Sequence, residues 1–293
     1  MNFHYGASFS YLGFDLGNFG TGNDRLQSWF EEPSFMAYAM MPAIFVALSR
    51  LFNLHKNISK VKAILIIGIL LLTKSSVGLL GLLFSLIIVV FSKYPIIKKP
   101  TYFIPLIITI PLLGFSIYQI PDVKLRVDDT YDLFSDDNVS KQDISKTNLS
   151  TYALYSNYRV TKKTFFNNVF LGTGIGTYES NYNKYINELI PATALRDRYQ
   201  LNKKDANSLF MRLLAETGLA GIFLFFFFIQ RNKIKFSSIN LDKRFLWAFN
   251  NGIFVLIMLR LLRQGHYTSL GFIMFLLLFY FFKKEIVINE RNN

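Results

Sequence analysis

Three side chains near the C-terminal end are of types that hold an anion and move a proton. Arg260 and Arg263 stand three residues apart, a spacing that puts both on one helix face, and His266 follows in the same tip. Guanidinium carries a fixed fork of donors, and imidazole titrates near neutrality. The competing reading is a pair of arginines that snorkel to an interface, followed by an interfacial histidine. Arg260 has apolar neighbours on both sides in sequence, and an ionisable residue within a membrane span is a functional candidate by default. A second group, Arg25, Glu31 and Glu32, precedes Pro33, which can start a helix; a carboxylate there suits the helix dipole, so capping competes with chemistry for the glutamates. Arg212 and Glu216, four apart, read as a helix ion pair. Lys74 reads as a snorkelling helix end. The run Gly172-Thr173-Gly174-Ile175-Gly176 is neither of the common nucleotide-binding glycine patterns, so a turn is preferred to a phosphate cradle. The basic cluster Arg196, Arg198, Lys203 and Lys204 suits lipid headgroups or a lipid diphosphate. The aspartates Asp128, Asp129, Asp132, Asp136 and Asp137 lack calcium-loop spacing, and residues 122–150 read as a solvated linker. No cysteine is present, which removes disulfides, thiolate metal sites and a cysteine nucleophile.

The elements that carry these groups are set by lipid. The 293 residues are 52% hydrophobic and only 17% charged, against about 25% charged in a soluble domain. Apolar segments long enough to cross a bilayer fall at 35–52, 61–73, 77–91, 102–118, 208–229, 245–262 and 268–282, about seven spans in an all-α polytopic protein. Residues 61–91 would make one long helix, yet both flanks are basic. Cytoplasmic loops collect Lys and Arg, so the chain must turn back at Thr73 to Gly78. With the basic clusters at 55–62, 93–99, 231–244 and 283–284 inside, alternation puts residues 119–207 and the 263–267 tip outside. The expected organisation is an extracytoplasmic N-terminal segment 1–34, spans 1–4 over 35–118, an extracytoplasmic loop with short helices over 119–207, spans 5–7 over 208–282, and a cytoplasmic tail 283–293. The same parity puts residues 1–34 outside with nothing upstream to carry them, so earlier spans are expected to be missing from this chain. The net charge of +13 is then a matter of topology, and no nucleic-acid partner is expected.

Segments spread along the chain resemble the O-antigen polymerase and O-antigen ligase family of bacterial membrane glycosyltransferases. They are RLQSWFEEPSFMA at 25–37, LLTKSSVGLLGLL at 71–83, NYRVTKKTFFNNVFLGTGIGTYESNY at 157–182 and DANSLFMRLLAETGLAGI at 205–222. The ligase branch typically has His-Asn where this chain has Ala206-Asn207, which points to the polymerase branch. Arg159 and Gly172 fit the arginine loop of polymerases loosely.

The resemblance implies a bacterial cytoplasmic-membrane enzyme that transfers sugars from polyprenyl (undecaprenyl) diphosphate to an acceptor hydroxyl. Arg159, Arg260 and Arg263 are then candidates for the departing diphosphate, and Arg25 for diphosphate or glycan. His266 and Glu32 compete as the base. No cofactor and no metal are expected. The implied partners are the polyprenyl-diphosphate-linked oligosaccharide, membrane lipids and a chain-length regulator. A ligase acting on lipid A core and a lipid-linked glycan transporter are the alternatives; the absence of a convincing internal repeat and the placing of charge on one side argue against transport.

Overall fold

A computed structural model describes residues 10–11, 14–15, 26, 30, 32–94, 111–112, 114–115, 118–119, 121–135, 140–198 and 200–291. Apart from a two-residue antiparallel ladder, in which Ser10 pairs with Asp15 and Tyr11 with Phe14, the described elements are helical, as the composition requires. Four helices have the length and apolar composition to cross a membrane: Pro33–Leu51, Ser76–Lys93, Leu209–Asn232 and Arg244–Leu262. The chain is a helical membrane protein. Two further elements fall on expected spans. Lys60–Leu72 has 13 residues, a rise of about 20 Å against a hydrocarbon core of about 30 Å. Phe272–Arg291 carries Lys283, Lys284 and Glu285 in its second half. The expected span at 102–118 lies mostly outside the described residues, and Arg25 and Glu31 lie outside them too.

The fold divides into two compact units. One comprises residues 1–99, 231–259 and 268–293; the other comprises residues 100–230 and 260–267.

In the first unit, α1 (Pro33–Leu51) packs against both α2 (Lys60–Leu72) and α3 (Ser76–Lys93). The turn between α2 and α3 falls where the basic flanks require it. Thr73 caps α2 through its hydroxyl to the Leu70 carbonyl, Lys74 takes a left-handed φ of 45°, and the Ser75 hydroxyl accepts from the Gly78 N–H to start α3. Lys74 is exposed in this turn. Gly252 of the helix Arg244–Leu262 lies against Pro42 so closely that a Cβ would stand 2.5 Å from the Pro42 Cα, the kind of approach that small residues permit between membrane helices. Arg50 donates to the Ile58 carbonyl, and buried His55 bridges the Val46 carbonyl and the Asn57 N–H, closing the α1–α2 loop.

The second unit contains α4 (Pro121–Ser135), α5 (Lys141–Lys146), α6 (Leu149–Asn167), α7 (Tyr178–Leu189), α8 (Ala194–Arg198) and most of α9 (Leu209–Asn232). Its core is built from Leu133, Tyr152, Tyr155, Val160, Tyr178, Tyr182 and Met211, among others. This corrects the expectation of a solvated linker over 122–150. Leu133 is buried in that core, and two of the acidic residues support helix starts: Asp129 accepts from the N–H and side-chain amide of Asn148, which caps α6, while Ser140 and Asp143 form a reciprocal capping box for α5. Asp129 and Asp143 are thus spent on helix starts, while Asp128 accepts from the Tyr118 hydroxyl.

Candidate functional site

The second unit gathers Arg159, Arg260, Arg263 and His266, and the geometry that positions them begins at a break in α9. Gly218 has φ 59° and ψ −157°, a conformation open in practice only to glycine. The break deprives neighbouring backbone groups of their partners within the helix, and the segment 169–174 supplies replacements. Thr173 and Gly174 donate their N–H groups to the Ala215 and Glu216 carbonyls at 3.1 and 2.8 Å, while Leu219 and Ala220 donate to the Val169 and Phe170 carbonyls at 2.9 and 3.0 Å. Gly172, at φ 66°, lies so close that a Cβ would stand 2.4 Å from the Glu216 carbonyl carbon. The glycine run is therefore a docking turn, and the N–H groups of Thr173 and Gly174 are committed to α9 rather than to an anion.

Glu216 is fully buried and serves three elements at once. Its Oε1 accepts from Arg212 Nε one helical turn earlier, at 3.1 Å, and from the Tyr178 N–H at the start of α7, also at 3.1 Å. Its Oε2 accepts from the Tyr267 hydroxyl at 2.7 Å. A carboxylate at a helix N-terminus is favoured by the exposed N–H groups there, and a buried carboxylate needs such partners to offset its desolvation. With both oxygens engaged in this way, Glu216 is an organising residue. Arg212 also donates to the Gly265 carbonyl at 3.3 Å and stacks over the Tyr267 ring at 4.2 Å. Burial, then the bond to Glu216, pushes the Tyr267 phenol above its ordinary range, so it stays a donor.

The tip that carries His266 is thus held from below. Gln264 donates its N–H to the Asn207 carbonyl, the Ser208 hydroxyl donates to the Leu261 carbonyl at 2.6 Å, and Gly265 lies directly against the Asp205 and Ser208 carbonyls, where a side chain has no room. Arg260 is buried and donates to the His266 carbonyl. Arg263, half-buried, donates to the Ser150 hydroxyl at the start of α6, at 2.5 Å. The helix Arg244–Leu262 ends just before Arg263, so the two arginines do not share a helix face as their spacing predicted, and they are directed to different partners. The His266 side chain is exposed.

Arg159 occupies a separate place in the same unit. It lies on α6 in an open cleft of about 320 Å³, with Lys162, Lys163, Phe134, Tyr155 and Tyr158. Arg159 donates to the Tyr155 hydroxyl at 2.8 Å and stacks against that ring, while Phe134 packs on Tyr155 and Tyr158 at 5.4 and 5.1 Å between ring centres. Lys163 pairs with Glu188 at 3.0 Å. Cations beside aromatic faces suit an anionic group attached to a flat, partly apolar one. Glu32 belongs to the first unit, at the cap position of α1 before Pro33, where its carboxylate accepts from the Ser34 hydroxyl at 2.9 Å rather than from a backbone N–H of the helix. Of the basic cluster, Arg196 is engaged with Asp197 and the Ile190 carbonyl, and Lys203 with Glu179.

A family model described as O-antigen ligase matches residues 61–226, more than half of the chain. The chain belongs to the O-antigen ligase family. No curated protein and no solved structure matches it. Proteins of the O-antigen ligase family are membrane glycosyltransferase-like enzymes that act on lipid-linked glycans, so the chain is of the ligase and polymerase type in surface-glycan assembly. The matched stretch contains α2, α3, the segments around Arg159 and the glycine run, and the break in α9.

Sequence reading named Arg212 and Glu216 only as an ion pair and passed over Tyr267 and Tyr178. Their partnership joins residues 51 and 38 positions apart, which no spacing rule reaches. Asn207, read from sequence only as half of the Ala206-Asn207 pair, is buried and left-handed at φ 60°, and its side-chain nitrogen has no hydrogen-bond partner among the described residues. Among the described residues no cluster of His, Asp and Glu has the arrangement of a metal site.

Proposed function

We propose that this protein polymerises oligosaccharide repeat units carried on a polyprenyl diphosphate into a surface polysaccharide, at the extracytoplasmic face of a bacterial cytoplasmic membrane. The observation that carries the reading is the 260–267 tip. Buried Arg260 and Glu216, with half-buried Arg212, fix its backbone and Tyr267, while His266 remains exposed.

In this mechanism an acceptor hydroxyl on one repeat unit attacks the anomeric carbon of a lipid-linked glycan. Its proton passes to His266 or, in the competing assignment, to Glu32. The bond between the anomeric carbon and the diphosphate oxygen breaks, and the electron pair leaves on the polyprenyl diphosphate. Guanidinium stabilises that departing charge through paired donors. Arg263 and Arg159 are the candidates for direct contact, and Arg25 is a further candidate toward diphosphate or glycan. Arg260 contributes by holding the main chain of His266, beyond any contact of its own with the diphosphate. The aromatic wall beside Arg159 suits a sugar ring stacked next to an anionic group.

The polymerase reading is supported over the ligase reading by Ala206-Asn207, which stand where the ligase branch typically has His-Asn, and by His266 being the only histidine in the second unit. A lipid-linked repeat unit, the surrounding lipids and a chain-length regulator are the proposed partners. The test is the surface glycan of a deletion strain, resolved by length on a gel. Single repeat units on the surface are expected. Free long polymer would make the protein a ligase, and loss of both would make it an exporter.

A further inference from the structure

The segment docked on the broken helix presents large apolar side chains outward. Phe170, Leu171 and Ile175 are 75%, 77% and 77% exposed, and Phe166, at the end of α6, is 66% exposed. A free loop would shed such residues, yet this one is rigidly placed by four backbone hydrogen bonds to residues 215–220 of α9. Those bonds set the Phe170 main chain beside Ala220, at the start of the apolar half of α9. From there α9 turns Leu219, Phe223 and Phe227 outward, on a 24-residue helix with the composition of a membrane span. Side chains exposed on such a helix face acyl chains.

We infer that Phe166, Phe170, Leu171 and Ile175 are seated in the lipid bilayer itself, as an extension of the lipid-facing surface of α9. Continuity argues for lipid as the occupant, since the patch and the span are joined by main-chain hydrogen bonds within one compact unit. Lys162, exposed one helical turn before Phe166, adds the cation that interfacial segments place at headgroup level. The anchor would hold α6, and with it the Arg159 cleft, at the level of the headgroups. This inference rests on α9 as a membrane span and does not depend on the polymerase reading.

The chain has no cysteine, so single-cysteine variants of the full protein carry one spin label each. Phe170→Cys, Leu171→Cys and Ile175→Cys would be reconstituted in phosphatidylcholine–phosphatidylglycerol vesicles that contain no polyprenyl lipid. Phe223→Cys serves as the lipid reference and Ser145→Cys as the aqueous one. Collision with molecular oxygen and with a water-soluble nickel chelate is then compared. The expected oxygen-over-chelate ratio at 170, 171 and 175 matches Phe223→Cys. A ratio matching Ser145→Cys would overturn the inference. So would exclusion of both reagents, relieved or not by dilution with unlabelled protein, since it would mean a second copy or another part of the chain covers the patch. Chelate protection that arises only on adding a polyprenyl phosphate would equally overturn it, in favour of a substrate groove.

Discussion

At the scale of single residues, the two arginines of the tip separate into different tasks. Arg260 is buried against the His266 carbonyl, whereas Arg263 is half-buried and reaches Ser150. If Arg263 holds the departing diphosphate, charge alone does not suffice, because lysine offers a point charge where guanidinium offers a fork. Arg263→Lys should slow polymer formation roughly ten- to hundredfold, the equivalent of one charge-assisted bond of about 1.5–3 kcal/mol, with protein abundance unchanged. Polymer of normal length and amount in both Arg263→Lys and Arg260→Lys would remove the pair from the mechanism. The two candidate bases also part company. Glu32 stands at a helix start, its carboxylate accepting from the Ser34 hydroxyl, where loss of a charge costs roughly 0.3–1 kcal/mol. Glu32→Gln is therefore expected to leave polymer nearly intact, while His266→Ala abolishes it, each read against the amount of inserted protein. Complete loss of polymer in Glu32→Gln with normal abundance would make Glu32 the base.

At the scale of elements, the break in α9 is the feature on which the second unit depends. Gly218→Ala must adopt a conformation that costs about 1–3 kcal/mol for any other residue, and its Cβ would stand 2.6 Å from the Phe170 carbonyl. The expected result is a lower melting temperature in detergent and loss of polymer together, and an unchanged melting temperature would show that the docking of 169–174 on α9 contributes nothing. In the first unit, His55 makes the α1–α2 loop sensitive to acid. Burial, outweighing the bond to Val46, holds its pKa below the ordinary histidine value, and Nδ1 must stay unprotonated to accept from Asn57. The unfolded chain then binds a proton before the folded one does, so stability is lost as pH falls through about 6.5. Melting temperature should drop between pH 7.5 and 5.5, and by less in His55→Gln. The hairpin at Thr73–Ser75 was legible in the sequence because basic flanks on both sides forced a reversal. The helices Pro121–Ser135 and Lys141–Lys146 were not, because a polar segment that buries Leu133 and puts Asp129 and Asp143 at helix caps has the composition of a linker. Glu216 was half legible: spacing revealed Arg212, but not the start of α7 or Tyr267, which tertiary packing alone brings to it.

At the scale of the whole molecule, the sequence made the helical membrane character and the family plain, since apolar runs and motif order survive without any knowledge of packing. It left the division of labour hidden. Arg25 lies outside the described residues, and Glu32 belongs to a different unit from Arg159, Arg260, Arg263 and His266. The reading as a polymerase rests on chemistry at one membrane face, with a lipid-linked glycan serving as donor and a second as acceptor. The purified protein in vesicles, supplied with polyprenyl-diphosphate-linked repeat units and no lipid A core, tests this directly by the length of the glycan recovered on the lipid. The account predicts a ladder of multiples of the repeat unit that remains linked to polyprenyl diphosphate and disappears in His266→Ala. Glycan that stays at one repeat unit, and moves only when lipid A core is added, would contradict it and assign the protein as a ligase.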